Sequence, residues 1–168
     1  QASFALKNRK WAPKEFMGVE LFEKTLGIIG LGRIGSNVAE RARAFQMKIL
    51  GYDPFITQER AKLLGVELVE MDDLLTRSDF ISLHTPGQAD GTPLLGKEQF
   101  DQMKPGVRII NCARGSLIDD TALISAIQDK KVAGAALDVY HSEPLDLDSP
   151  LLKVEEIICT PHLGASTG

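Results

Sequence analysis

The 168-residue sequence predicts an α/β domain, a doubly wound parallel sheet with helices on both faces. Three observations carry that expectation. From Thr25 onward, short apolar runs alternate with helix-period segments, and strands separated by helices return by crossovers, which pair them in parallel. The first apolar run closes in Gly30-Leu31-Gly32-Arg33-Ile34-Gly35, a spacing of glycines that belongs between a strand and a helix. A composition of 43% hydrophobic and 25% charged residues supplies a core for one domain of this size.

Residues 1–24 are expected to form an N-terminal arm or connecting helix. Lys7, Arg9, Lys10, Lys14 and Glu15 surround Phe4, Leu6, Trp11, Phe16 and Met17, which suggests a short helix and then irregular chain. Those aromatic side chains need something to bury against, either the domain itself or a second subunit. The first strand, 25–29, is a continuous apolar run, the pattern of a strand covered on both sides. A helix over 34–45 leads to a strand over 48–52. A helix over 58–64 is stopped by Gly65 and followed by a short strand at 66–69. Next come a helix at 72–77, a strand at 80–83 and a Pro/Gly-rich loop at 85–96. A helix at 97–103 ends in Lys104-Pro105-Gly106; strand 107–111, helix 120–128 and strand 132–137 follow. A polar loop over 140–153 and a strand at 156–159 complete seven strands, read as one domain over 25–168.

The glycine segment carries the first functional expectation. Gly30 permits the tight turn, Gly32 lets backbone approach a pyrophosphate, and Gly35 lets helix and strand pack closely. The helix start then offers free N–H groups to the anion. Asp53 closes the second strand, near the roughly 20-residue interval at which a carboxylate reaches the adenosine ribose. A carboxylate there repels a 2′-phosphate, so the expected cofactor of this Rossmann-type domain is NAD rather than NADP. Taken alone, Asp53 before Pro54 also fits a turn or capping aspartate.

In an open parallel sheet, ligands bind beyond the carboxyl ends of the strands. The segments there are His84-Thr85-Pro86, Asn111-Cys112-Ala113-Arg114-Gly115, Asp138 through Pro144, and Thr160-Pro161-His162-Leu163-Gly164. They place an imidazole, a carboxylate and a guanidinium on one edge. Histidine exchanges protons near neutrality, a carboxylate on its far nitrogen fixes the tautomer, and an arginine fork grips a carboxylate. Periodicity does not choose among His84, His141 and His162; His84 reads as packed and His141 as solvated. Cys112 reads as a small lining residue rather than a nucleophile.

These stretches, with Tyr52-Asp53-Pro54, Ala135-Ala136-Leu137-Asp138-Val139, Ser142-Glu143-Pro144 and Pro161-His162-Leu163-Gly164-Ala165-Ser166-Thr167, resemble the D-2-hydroxyacid dehydrogenase family over nearly the whole chain. Their wording is nearest to members that act on 3-phosphoglycerate. The resemblance implies His162 as acid/base, Glu143 as its carboxylate partner and Arg114 as the substrate-orienting arginine. It implies a cofactor site of Gly30, Gly32, Arg33, Ile34, Gly35, Asp53, Thr85, Cys112, Ala113, Arg114, Asp138, His162, Gly164 and Ala165, and no metal. The implied reaction is hydride transfer between NAD and a small 2-hydroxy acid, 3-phosphoglycerate to 3-phosphohydroxypyruvate in serine biosynthesis. Hydroxypyruvate or glyoxylate reduction, and a non-catalytic NAD-sensing corepressor, stand as alternatives within the same resemblance. The family arrangement further implies a separate substrate domain, an isolated nucleotide domain with little activity, and a homodimer or higher oligomer formed through it. Two places depart from the commoner family wording: Gln46 replaces a glycine after the first helix, which puts a residue with a side chain at the left-handed cap, and the loop from Gly87 to Pro93 differs.

Charge and hydropathy bound the partners. A net charge of −4 without a basic block argues against nucleic acid and anionic membrane. Lacking a run near the roughly 20 apolar residues of a membrane span, and a signal-peptide pattern, the chain is expected to be cytoplasmic. Two cysteines without ligand spacing are expected to be reduced. A first residue other than Met and an end in a glycine just after a motif-like segment are what a piece of a longer protein would show.

Overall fold

A computed structural model describes residues 2–166; Gln1, and Thr167 and Gly168 at the end of the last motif, lie outside the described residues. Seven strands form one sheet in the order β3-β2-β1-β4-β5-β6-β7, every neighbouring pair parallel. They are β1 (Thr25–Ile29), β2 (Lys48–Tyr52), β3 (Glu67–Leu68), β4 (Phe80–Leu83), β5 (Val107–Asn111), β6 (Val132–Leu137) and β7 (Ile157–Cys159). The helices are α1 (Ala2–Lys7), α2 (Arg33–Ala44), α3 (Gln58–Leu64), α4 (Met71–Arg77), α5 (Lys97–Gln102) and α6 (Asp120–Gln128). The doubly wound expectation is met. The chain runs outward from β1 to β3, then returns to the far side of β1 with β4, so strand order reverses between β1 and β4.

Alternation along the strands separates two cores. Leu26 and Ile28 of β1 pack with Ala39 and Ala42 of α2 and Ala61 of α3 on one face. Ile29, Leu50, Ile81 and Leu83 pack with Leu74 and Leu75 of α4, Phe100 of α5, and Leu123 and Ile127 of α6 on the other. The small residues Gly35, Ala39 and Ala42 form the buried stripe of α2 and let its backbone come close to the sheet. The first face is only partly covered. Over β4 to β7 it forms a shallow groove lined by Phe80, Arg108, Ile110, Ala136 and Ile158, the last 66% exposed.

Local chemistry explains the ends. Thr57 caps α3 by accepting from the Arg60 N–H at 3.3 Å, and Gly65 closes it at φ 67°. Asp119 caps α6 through the Ala122 N–H at 3.0 Å. After α2, Gln46 takes the left-handed cap at φ 58°, as its position predicted. Three short 3-10 turns, Pro13–Phe16, Gly115–Leu117 and Pro150–Lys153, lie in segments read as irregular, being too short to carry a hydrophobic period. The strand expected over 66–69 narrows to Glu67–Leu68, because this sheet edge has a partner on one side only.

Candidate active site

The reversal between β1 and β4 opens a crevice at their carboxyl ends. A Cβ on Gly30 would meet the His84 carbonyl oxygen at 2.5 Å, and Gly30 itself has φ 95°, so glycine is required twice over. A Cβ on Gly35 would collide with the Gly30 carbonyl, which is why α2 can start directly against the turn. A Cβ on Gly32 would meet nothing within 4 Å; the space beside it is open. The first turn of α2 holds no acidic residue, and its leading N–H groups have no partner within the helix. This is a cradle for an anion of the size and charge of a pyrophosphate.

Asp53 sits beside the cradle with its carboxylate fixed by backbone. Oδ2 accepts from the Leu31 N–H at 2.8 Å and Oδ1 from the Phe55 N–H at 2.9 Å. Each oxygen retains a lone pair for a vicinal diol. The aspartate is therefore the staple of the glycine turn and stays open as a candidate ribose acceptor. Around it a cavity of about 500 Å³ is lined by Gly30, Gly32, Asp53, Phe55, His84 and Thr85, among others. The dinucleotide fits this donor set.

The second cluster lies on the same sheet edge, after β5, β6 and β7. His162 Nδ1 lies 2.7 Å from Glu143 Oε2, and Glu143 Oε1 accepts from the Tyr140 N–H at 3.0 Å. The His162 hydrogen bond first and the Tyr140 amide second hold the Glu143 carboxyl below the usual carboxylate range. His162 occupies φ 54°, rare for a residue with a side chain. Asp138, 5% exposed at the end of β6, accepts from Thr160 Oγ1 at 2.6 Å and from the Leu163 and Gly164 N–H groups at 2.7 Å each. The Thr160 hydroxyl and the Leu163 amide hold its carboxyl low as well. Tyr140 Oη donates toward the carbonyls of Thr160, 2.8 Å, and Leu137, 3.1 Å; burial is the main reason its pKa is pushed up to about 12. A cavity of about 670 Å³ opens beside this pair, lined by Tyr140, Glu143, Pro144, Leu147 and His162 among others.

The sequence-derived residues separate into those brought into one place and those held apart. Gly30, Gly32, Asp53 and Thr85 share the first cavity; Glu143 and His162 share the second. Arg33 and Ile34 begin α2 on its exposed side, and Gly35 is buried against the turn. Arg114 is exposed, and its Nη1 donates to the Ala113 carbonyl at 2.6 Å rather than to His162 or Glu143. Ala113 is half-buried, held by Asn111 Oδ1 through its N–H at 3.0 Å. Cys112 is exposed as a residue, yet protein around its sulfur pushes the thiol pKa up, with the Asp138 charge adding, which disfavours a thiolate. Gly164 and Ala165 are exposed beside His162.

Two histidines follow separate paths. His84 is half-buried, its Nε2 2.8 Å from Ser82 Oγ, in keeping with a packed loop residue. His141 was expected to be solvated; it is exposed, yet its Nε2 is held 2.9 Å from the Ile118 carbonyl, because the loop after β6 folds back over the start of α6. Sequence reasoning missed Phe55, Tyr140 and Thr160. Phe55 adjoins Tyr52-Asp53-Pro54, and Tyr140 and Thr160 lie inside the segments beyond the strand ends, so each carried a positional signal; the bridging role of Tyr140 further needs the spatial pairing of two loops.

Among the described residues, no group of three or more His, Cys, Asp or Glu is placed to hold a metal, and no helix is long and apolar enough to cross a membrane. Residues 1–164 match the family model described as the D-isomer specific 2-hydroxyacid dehydrogenase, NAD binding domain. The chain is 51% identical over 167 residues to D-3-phosphoglycerate dehydrogenase of Archaeoglobus fulgidus, covering 99% of this chain and 32% of that protein. It is 50% identical over 167 residues to the Rattus norvegicus protein of the same name, covering 99% and 31%. The fold superposes on apo D-lactate dehydrogenase of Escherichia coli with TM-score 0.90 and 35% identity, covering 99% of this chain and 52% of that one. The chain thus spans about a third of the length of these curated relatives.

Proposed function

The chain belongs to the D-isomer-specific 2-hydroxyacid dehydrogenase family, as its NAD-binding domain, and from that premise we propose that it supplies the cofactor and acid/base half of an enzyme oxidising 3-phosphoglycerate to 3-phosphohydroxypyruvate. The observation that carries the proposal is the His162–Glu143 pair, 2.7 Å apart on the same sheet edge as the glycine cradle. The relatives at about 50% identity that bear the name D-3-phosphoglycerate dehydrogenase support that substrate over glyoxylate or hydroxypyruvate. Substrate contacts beyond Arg114 are assigned to a second domain, and residues 25–168 to the nucleotide domain.

NAD, when bound, supplies the acceptor for the hydride that leaves C2 of the hydroxy acid. Gly30, Gly32 and the start of α2 would hold its pyrophosphate, Asp53 its ribose, and Thr85, Cys112, Ala113 and Asp138 would line its remaining length. With Nδ1 engaged by Glu143, His162 keeps Nε2 for the substrate hydroxyl and takes up its proton as the carbonyl forms. The Glu143 carboxylate stabilises the resulting imidazolium, and in the reverse direction His162 returns the proton. Arg114, swung from its bond to Ala113, grips the substrate carboxylate with its planar fork. In the complete enzyme, His162→Ala is expected to lower kcat by about three orders of magnitude or more, a far larger effect than on NADH affinity. Steady-state kinetics beside calorimetric NADH titration measure this, and near-normal turnover in the variant overturns the assignment.

We also infer that copies of the chain pair through this domain, with residues 1–24 reaching a partner. The exposure of Trp11, 82%, and Phe4, 74%, supports that reading.

A further inference from the structure

Thr160 lies outside the acid/base pair and the cofactor-lining set, yet all its polar atoms are engaged at the catalytic edge. Its N–H donates to the Leu137 carbonyl at 3.0 Å, tying the end of β7 to the end of β6. Its carbonyl accepts from Tyr140 Oη at 2.8 Å and from the His162 N–H at 3.0 Å. Its hydroxyl donates to Asp138 Oδ1 at 2.6 Å, and the same carboxylate accepts the Leu163 and Gly164 amides. Asp138 therefore grips the chain on both sides of His162, whose φ of 54° a free loop would not favour. The surrounding segment, Pro161 to Ser166, is exposed, so packing does not hold the turn in place.

We propose that Thr160 is a positioning residue: its hydroxyl and Asp138 form a clamp that fixes the left-handed turn at His162 and so delivers Nδ1 to Glu143. The inference rests on the reading of His162 as the acid/base and extends it to how the ring is aimed. A hydrogen bond made at one imidazole nitrogen decides which nitrogen carries the proton. The clamp is thus legible in the tautomer, which a general loss of stability would not select.

The test uses the 168-residue protein labelled with 15N, and long-range 1H–15N spectra of its imidazoles at about pH 9, where an ordinary imidazole is neutral. Wild type and Thr160→Ser are expected to show His162 as one tautomer, protonated at Nδ1. Thr160→Val, which keeps the shape and removes the hydroxyl, is expected to show a mixture. In the complete enzyme the same variant is expected to lose about one to two orders of magnitude in kcat, and Thr160→Ser to recover it. A single Nδ1 tautomer persisting in Thr160→Val overturns the clamp. Should that variant not fold, amide exchange in the wild-type protein decides. Protection at Leu163 and Gly164 well above that of Ala165 supports the clamp, and equal exchange at all three overturns it. The acid/base reading fails separately, through turnover surviving in His162→Ala, whatever the tautomer of Thr160→Val.

Discussion

His84 illustrates what burial does to one side chain beside the cofactor crevice. Its ring is half-buried at the end of β4 with Ser82 as partner, and burial holds its pKa below the usual imidazole value. As pH falls through about 6.5, the unfolded chain binds the proton before the folded one does. Stability is therefore expected to fall with pH from there down to the lower folded-state pKa, where the loss is complete. His84→Gln is expected to flatten that part of the curve, measured as urea midpoints between about pH 7.5 and 5; an unchanged slope overturns the assignment. His162 and Glu143 stand out in the sequence through the family resemblance of their motifs, since a place after a strand does not by itself choose His162 over His84 and His141. Their pairing was an expectation that only the juxtaposition of two loops could display. Arg114 shows the opposite case, since a flexible guanidinium follows local backbone acceptors that no sequence pattern reveals.

Elements were legible where they are long and periodic. The strands over 25–29, 48–52, 80–83, 107–111 and 132–137 coincide with β1, β2, β4, β5 and β6, because each is an apolar run between turn residues. The short edge strands and 3-10 turns were less so, since two or three residues carry no period. The α2 cap gives a test at this scale. Gln46 is exposed at φ 58°, with its N–H bonded to the Arg43 carbonyl at 2.8 Å, a bond glycine would keep. Gln46→Gly is expected to stabilise the fold by about 1 kcal/mol, the steric cost of a left-handed β-carbon less glycine's extra freedom when unfolded. A rise in the thermal or urea midpoint measures it, and an unchanged or lower midpoint overturns it.

At the scale of the whole molecule, α2 and α3 cover one end of a sheet whose other end, on that face, stays open. Sequence pattern could not foresee this, because an apolar strand looks alike whether a helix, another domain or a partner covers it. With Phe4, Trp11 and Met17 also exposed, the protein is expected to self-associate. Light scattering at tens of micromolar should give about twice the 18.3 kDa chain mass, and Trp11→Glu should weaken the association; a monomer throughout overturns pairing through this domain. The reversal of strand order has a consequence for how such a protein changes over time. The cavity beside the glycine turn hangs on β1, β2 and β4, whereas the His162–Glu143 pair hangs on β6 and β7, with β5 between them. Substitutions that retune the chemistry at one end of the sheet need not disturb the cradle at the other, which leaves the two halves free to be selected on separate histories.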